Sequence, residues 1–345
     1  MIVSAPGKLV LAGEYVVLTG EPALVAAVDR RARASWVPRS GPADDGSTPP
    51  AAPSPDRPTL PPEAAAACRE AERIRGRVPL ALTLDTSSLT QPPLPKSGGG
   101  AGTWSQRPVS KLGLGSSAAG AAAAAFAVFA WHGDDVAEPA VRRRVLDAAL
   151  RGHRAVAPAG SGADVAASVL GGLVRFRRDG EHVTAEPVAI PSRIEIAVIW
   201  SGQAARTSEL LAAVRALEAN DRPRYEARMR ALAGASSALV AAIVADDPAA
   251  AVRASEAHGE AMARLGQAAG APIVEARLAE IARLARAAGG AAKPSGAGGG
   301  DVAVAFFEDP SARARFESAC TAAGFSLLTL RLGAEGVRVE TEESE

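Results

Sequence analysis

Residues 111–131 read KLGLGSSAAGAAAAAFAVFAW, a glycine and serine turn that opens into an alanine-rich apolar run. Gly113 and Gly115 carry no side chain, so a ligand can come up against the backbone there, while Ser116 and Ser117 place hydroxyls and capping oxygens where a helix begins. The first turn of a helix has unpaired N–H groups and a partial positive charge, and both favour phosphate. The stretch is therefore read as a nucleotide phosphate loop followed by a helix. It is not a Walker loop, because two serines follow Gly115 where that pattern needs Lys and then Ser or Thr. Gly113, Gly115 and Ala118 satisfy the spacing of the dinucleotide fingerprint, but that pattern must follow a buried strand, and the preceding TWSQRPVS is polar and broken by proline. An N-capped core helix after a flexible turn is the alternative that this stretch alone leaves open.

Two further stretches weigh against that alternative. APAGSGADVAASVLGG (157–172) sets Gly160 and Gly162 around Ser161 and puts Asp164 at the start of a short helix. The helix dipole explains an aspartate there but not the GSG before it. KPSGAGGGDVAVAFF (293–307) crowds four glycines between 296 and 300. Their ordering entropy is large, which suits a loop held against something that needs bare backbone.

Composition narrows the class. At 345 residues the chain is long enough for two well-buried domains. Thirty-eight basic and 38 acidic residues balance, with no basic tract, so neither nucleic acid nor an anionic membrane is expected as a partner. The longest apolar run, 118–131, is too short to span a bilayer. Lys8 and Glu14 interrupt the N-terminal apolar stretch, which does not look like a signal peptide. Cys68 and Cys320 suggest neither a disulfide framework nor a zinc site. A cytoplasmic protein is expected. Only four lysines occur, at 8, 96, 111 and 293, and three stand in or beside the motif stretches, where a compact point charge suits phosphate.

Taken in order, residues 2–28 read as short strands joined by tight turns, with Lys8, Glu14 and Tyr15 embedded in them. Residues 38–62 hold nine of 25 prolines and, with 87–108 and its SGGGAG, are expected to be flexible insertions. Helices are expected over 63–75 and 136–156, the latter with His153 as a packing residue, and strands over 78–84, 173–176 and, as a pair, within 182–200. Thr207 or Ser208 can cap a helix starting near Glu209. Residues 209–289 read as almost continuous helix with breaks near Pro223, Pro248 and Gly270. A helix at 310–323 and strands at 325–330 and 336–340 finish the chain.

Together the stretches SAPGKLVLAGEYVV, KLGLGSSAA and KPSGAGGGDVAVAF, in that order over residues 4–306, resemble the three motifs of the GHMP kinase superfamily. Within it, GEY at 13–15, GSGADVAASVLGG and KPSGAGGGD are most similar to the phosphomevalonate kinases. AART at 204–207 and Val302 depart from that subgroup, and Arg206 before Thr207 resembles mevalonate kinases. The resemblance implies an α+β, two-domain GHMP kinase fold: a ribosomal protein S5 domain 2-like N-terminal domain (1–190) and a ferredoxin-like C-terminal domain (191–345). ATP and a small-molecule substrate would meet in the cleft between them, and a homodimer is compatible with the family.

The same resemblance implies roles. Lys8 and Asp164 would be catalytic. Lys111, Gly113, Leu114, Gly115, Ser116 and Ser117 would bind nucleotide, with Ser117 Oγ on Mg²⁺ and Lys111 holding either the β-phosphate or the substrate phosphate. Tyr15, Ser161, Gly162, Arg206, Thr207, Gly298 and Gly299 would contact the acceptor. His153 falls where mevalonate kinases carry a metal-binding glutamate, and it is not assigned as a ligand because histidine suits magnesium poorly. The expected reaction is phosphorylation of 5-phosphomevalonate by Mg-ATP. Phosphorylation of the mevalonate hydroxyl and a non-catalytic binding scaffold are the alternatives.

Overall fold

The computed structural model describes residues 1–38, 60–90 and 112–340. β1 (Ile2–Ala12) and β2 (Ala23–Val37) form one long antiparallel pair, not the series of short strands expected, with a 3-10 turn at Val16–Thr19 between them. Pro6 misled that reading. The register shifts between Pro6 and Gly7, and a proline is tolerated at such an irregularity.

The N-terminal part continues with α1 (Pro62–Arg75), β3 (Ala81–Asp85), α2 (Ser87–Thr90), α3 (Ser116–Trp131), α4 (Pro139–Val156), α5 (Ala163–Leu170), β4 (Leu173–Asp179) and β5 (His182–Val188). Residues 39–59 and 91–108 of the two expected insertions lie outside the described residues; at their edges, Pro62 opens α1 and Ser87–Thr90 is helical instead. α3 is buried without a break from Ala118 to Phe129, as a helix apolar on all faces must be. Small side chains let its neighbours close in. A Cβ on Gly152 of α4 would lie 2.3 Å from the Ala67 backbone of α1.

The C-terminal part runs β6 (Glu195–Trp200), α6 (Thr207–Asn220), α7 (Arg222–Val244), α8 (Pro248–Ala269), α9 (Ala276–Ala287), β7 (Ala291–Ser295), β8 (Val302–Phe307), α10 (Pro310–Ala322) and β9 (Ser326–Leu327). Its antiparallel sheet is ordered β7-β8-β6-β9, a ferredoxin-like arrangement. The helix breaks fall at Pro223, Pro248 and Gly270 as the sequence suggested. Thr207, however, lies inside the first turn of α6, and neither it nor Ser208 caps: Arg206 holds the N-cap position without a side-chain bond. Of FSLLTL, Ser326 and Leu327 pair with β6, and the Leu328 N–H donates to the Val198 carbonyl at 2.9 Å.

β10 (Arg338–Glu340) crosses back to pair with β1, completing a sheet ordered β10-β1-β2-β4-β5 with β3 on β2. Arg338–Glu340 thus add a strand to the N-terminal sheet, where the sequence reading places them in the C-terminal domain. The two parts share a core. Leu9 and Leu11 of β1 pack in one cluster with Val198 of β6, Val302 and Val304 of β8 and Leu239 of α7. Among the described residues α7 alone is long and apolar enough to cross a membrane, and its Leu232, Leu239 and Ile243 are buried in the protein.

Candidate active site

β1 carries Lys8 to the cleft between the two parts. Its Nζ donates to the Gly113 carbonyl at 2.9 Å and its backbone N–H donates to the Leu114 carbonyl at 2.9 Å, docking the glycine loop across the strand. Gly7 permits the crossing, since a Cβ there would lie 2.7 Å from the Leu114 oxygen. Gly113 and Gly115 have φ of 76° and 75°, in the left-handed region that glycine favours. A Cβ on Gly115 would meet Lys8 Cγ at 2.8 Å, and one on Gly113 would meet Asp301 Cβ at 2.5 Å. Leu114 anchors the loop from below, fully buried.

α3 starts at Ser116 with Gly115 as its N-cap and no side-chain cap. Ser116 and Ser117 are therefore not caps, and among the described residues no side chain caps the helix start. A bare, tightly packed loop leading to an uncapped helix end fits a phosphate group. Ser117 Oγ is 3.5 Å from Nε2 of the buried His153. No group of three or more His, Cys, Asp or Glu side chains able to hold a metal occurs among the described residues. That donor set fits magnesium carried by phosphate oxygens and water with one hydroxyl from the protein, and not a protein-built cage.

The cleft, an open space of about 880 Å³ including its mouth, is lined by Lys8, Tyr15, Ser161, Asp164, Thr207 and Asp301 among others. Asp164 stands in the first turn of α5, where its Oδ1 accepts from the Val165 N–H at 3.0 Å. Ser161 Oγ accepts from the Ala163 N–H at 3.2 Å. Tyr15 has a φ of 63°, rare for a bulky residue, and its hydroxyl donates to the Ala297 carbonyl at 2.6 Å. Burial, with Glu14 next to it, pushes its phenol pKa well up, so it stays a neutral donor.

Other expected contacts are placed elsewhere. Gly162 shapes the turn before α5 with φ 88° and packs on Leu150 instead of lining the cleft. Gly298 and Gly299 face the protein: their Cβ atoms would lie 2.1 Å from the Ile273 carbonyl oxygen and 2.9 Å from Leu210 Cδ1. Gly296 and Ala297 line the cleft in their stead. The Arg206 side chain is 79% exposed and pairs with Glu209, away from the cleft lining. Lys111 lies outside the described residues. Lys293, grouped by sequence with the phosphate-facing lysines, is buried in β7 and bonded to Glu14.

Asp301 went unread. Its Oδ1 accepts from the Ala205 N–H at 3.0 Å, its N–H donates to the Gln203 carbonyl at 2.7 Å, and its side chain packs on Gly113. One residue thus ties the loop before α6 to the turn at 113–115. The available signal was an aspartate closing a glycine run, a residue type that tolerates the φ of 56° found here.

The family model described as GHMP kinases N terminal domain matches residues 100–172, and that described as GHMP kinases C terminal matches residues 239–325. The two matched stretches are those of the N- and C-terminal domains of GHMP kinases. A phosphomevalonate kinase from Streptomyces sp. (strain CL190) is 27% identical over 224 residues, which span 59% of this chain and 59% of the relative. The structure of Streptococcus pneumoniae phosphomevalonate kinase in complex with phosphomevalonate and AMPPNP superposes with a TM-score of 0.71 at 19% identity, covering 96% of this chain and 99% of that one. That of L. major mevalonate kinase in complex with R-mevalonate gives 0.66 at 19% identity, over 95% and 94%. These likenesses establish the two-domain GHMP kinase fold.

Proposed function

We propose that this protein transfers the γ-phosphoryl group of Mg-ATP to the phosphate of 5-phosphomevalonate, giving 5-diphosphomevalonate, in the cytoplasm. The observation that carries the reading is the cleft in which Lys8, held by the phosphate loop at Gly113, shares one space with Asp164 of α5. The Streptomyces relative favours a phosphomevalonate acceptor. So does Arg206, the feature most like mevalonate kinases, because it turns to solvent and to Glu209.

Phosphoryl transfer needs placement and charge neutralisation more than covalent help. In this reading the backbone N–H groups of 113–117 hold the nucleotide phosphates, and Ser117 Oγ offers one ligand to magnesium. The metal, when bound, supplies neutralising charge on the phosphate oxygens. The acceptor phosphate, with a second pKa of about 6, is mostly a dianion at neutral pH and attacks without a base. Asp164, lining the same cleft, then need not act as a base, and the Lys8 ammonium, held by the Gly113 carbonyl, neutralises charge on the acceptor oxygen and the transferred group. With a mevalonate hydroxyl as acceptor, Asp164 would instead have to take the proton.

ADP release from Mg-ATP, measured side by side with 5-phosphomevalonate and mevalonate, tests the assignment. Turnover with 5-phosphomevalonate alone is expected. Turnover with mevalonate alone replaces it with mevalonate kinase activity, and turnover with neither, despite ATP binding, favours a binding scaffold.

A further inference from the structure

Behind the cleft, Glu14, Lys293 and His258 converge from the turn after β1, from β7 and from α8, with 4%, 1% and 0% of their surfaces exposed. Lys293 Nζ donates to Glu14 Oε1 and, at 2.9 Å, to the Pro294 carbonyl. The Gly296 N–H reaches the same carboxylate oxygen at 3.4 Å. Glu14 Oε2 lies 3.4 Å from His258 Nε2, yet neither atom makes a hydrogen bond, and His258 Nδ1 has none either. Burial, and then Lys293, hold His258 well below its ordinary pKa. Its contact with Glu14 is therefore not an ion pair, and the bond of Lys293 to Glu14 is what ties the cluster together.

A buried ion pair is weak evidence for stability, because an apolar pair of the same volume commonly does as well. This pair has reach instead. It joins positions 279 apart in sequence, one from each part of the fold, and both segments go directly into the cleft wall. Tyr15 follows Glu14 in its left-handed conformation; Gly296 and Ala297 follow β7; and the Tyr15 hydroxyl closes the circuit on the Ala297 carbonyl at 2.6 Å.

We propose that Glu14 and Lys293, packed against His258, are positioning residues for the acceptor: a latch that fixes Tyr15 and the Gly296–Ala297 backbone as one wall of the cleft. The inference rests on the reading of this cleft as an acceptor site. The nucleotide side is held separately, by the contacts of Lys8 with Gly113 and Leu114. The latch therefore acts on the acceptor and not on ATP.

The test uses two variants of the full chain. Lys293→Met alone strands a buried carboxylate, so it is combined with Glu14→Gln to leave the pocket neutral. Tyr15→Phe removes only the hydroxyl that closes the circuit. KM is measured for 5-phosphomevalonate and for Mg-ATP, and amide hydrogen exchange is followed in 13–18 and 295–301. Both variants are expected to raise the acceptor KM about tenfold or more while the Mg-ATP KM stays within about twofold. The double variant is expected to lose exchange protection in those two segments and keep it in Ala118–Phe129. An unchanged acceptor KM, or an equal rise in both KM values, overturns the latch. If the double variant does not fold, Tyr15→Phe decides by the same criterion. If the wild-type protein does not turn over 5-phosphomevalonate, the functional reading fails on its own; exchange then judges the latch, and unchanged protection in both segments of the double variant, or of Tyr15→Phe where the double variant does not fold, contradicts it.

Discussion

The Lys8 ammonium donates to the carbonyl of Gly113, 105 residues further along the chain, at 2.9 Å. That bond holds the one lysine of β1 between the phosphate loop and the cleft. Replacing Lys8 by Met is expected to lower kcat by about 100-fold to 1,000-fold, the scale seen when one preorganised charge-stabilising group is lost. Circular dichroism and thermal unfolding should show an intact fold, because Lys8 is only partly buried. A near wild-type kcat would remove Lys8 from the chemistry.

Gly115→Ala combines a left-handed φ with a Cβ 2.8 Å from Lys8 Cγ. Backbone strain at such a position costs about 1–2 kcal/mol, and the displaced loop would misplace the phosphate cradle as well. ATP affinity, titrated calorimetrically, should weaken about tenfold or more. Unaltered affinity would mean that the loop does not hold phosphate.

Ser117→Ala is expected to raise the magnesium concentration needed for half-maximal rate, with little change in thermal stability, since among the described residues the hydroxyl's hydrogen-bond contact is the 3.5 Å approach to His153. An unchanged magnesium requirement would move the protein ligand elsewhere.

His258 supplies a pH dependence. Its folded pKa lies below the ordinary value of about 6.5, so the unfolded chain binds more protons in that window. Its contribution is complete above about pH 6.5 and is lost as pH falls toward the folded value, by about 1.4 kcal/mol per unit. Chemical denaturation between about pH 7.5 and 5 should show this acid limb, and His258→Gln should flatten it. An identical limb in the variant would assign it to other groups.

Much of this architecture was legible from local signals. The glycine and serine turn before an all-apolar helix announced the turn at 113–115 and α3, and helical periodicity with Pro223, Pro248 and Gly270 marked α6–α9. What stayed hidden depends on partners distant in sequence. β7 reads AAKPS, which no strand pattern suggests, and its lysine is tolerated inside because Glu14 meets it from the other domain. The resemblance places Gly298 and Gly299 at the acceptor; here they pack against Ile273 and Leu210 instead, partners that lie far from them in sequence. Asp301 and the return of β10 to β1 are likewise products of tertiary pairing, with no periodic trace in the residues themselves.

Phosphorus-31 NMR of a reaction containing the protein, Mg-ATP and 5-phosphomevalonate tests the central claim most directly, because it reads the bond formed and not merely the ADP released. The account predicts that the acceptor's single phosphomonoester resonance gives way to a pair of coupled diphosphate resonances as ADP accumulates. ADP and free inorganic phosphate appearing while the phosphomonoester resonance persists would contradict it.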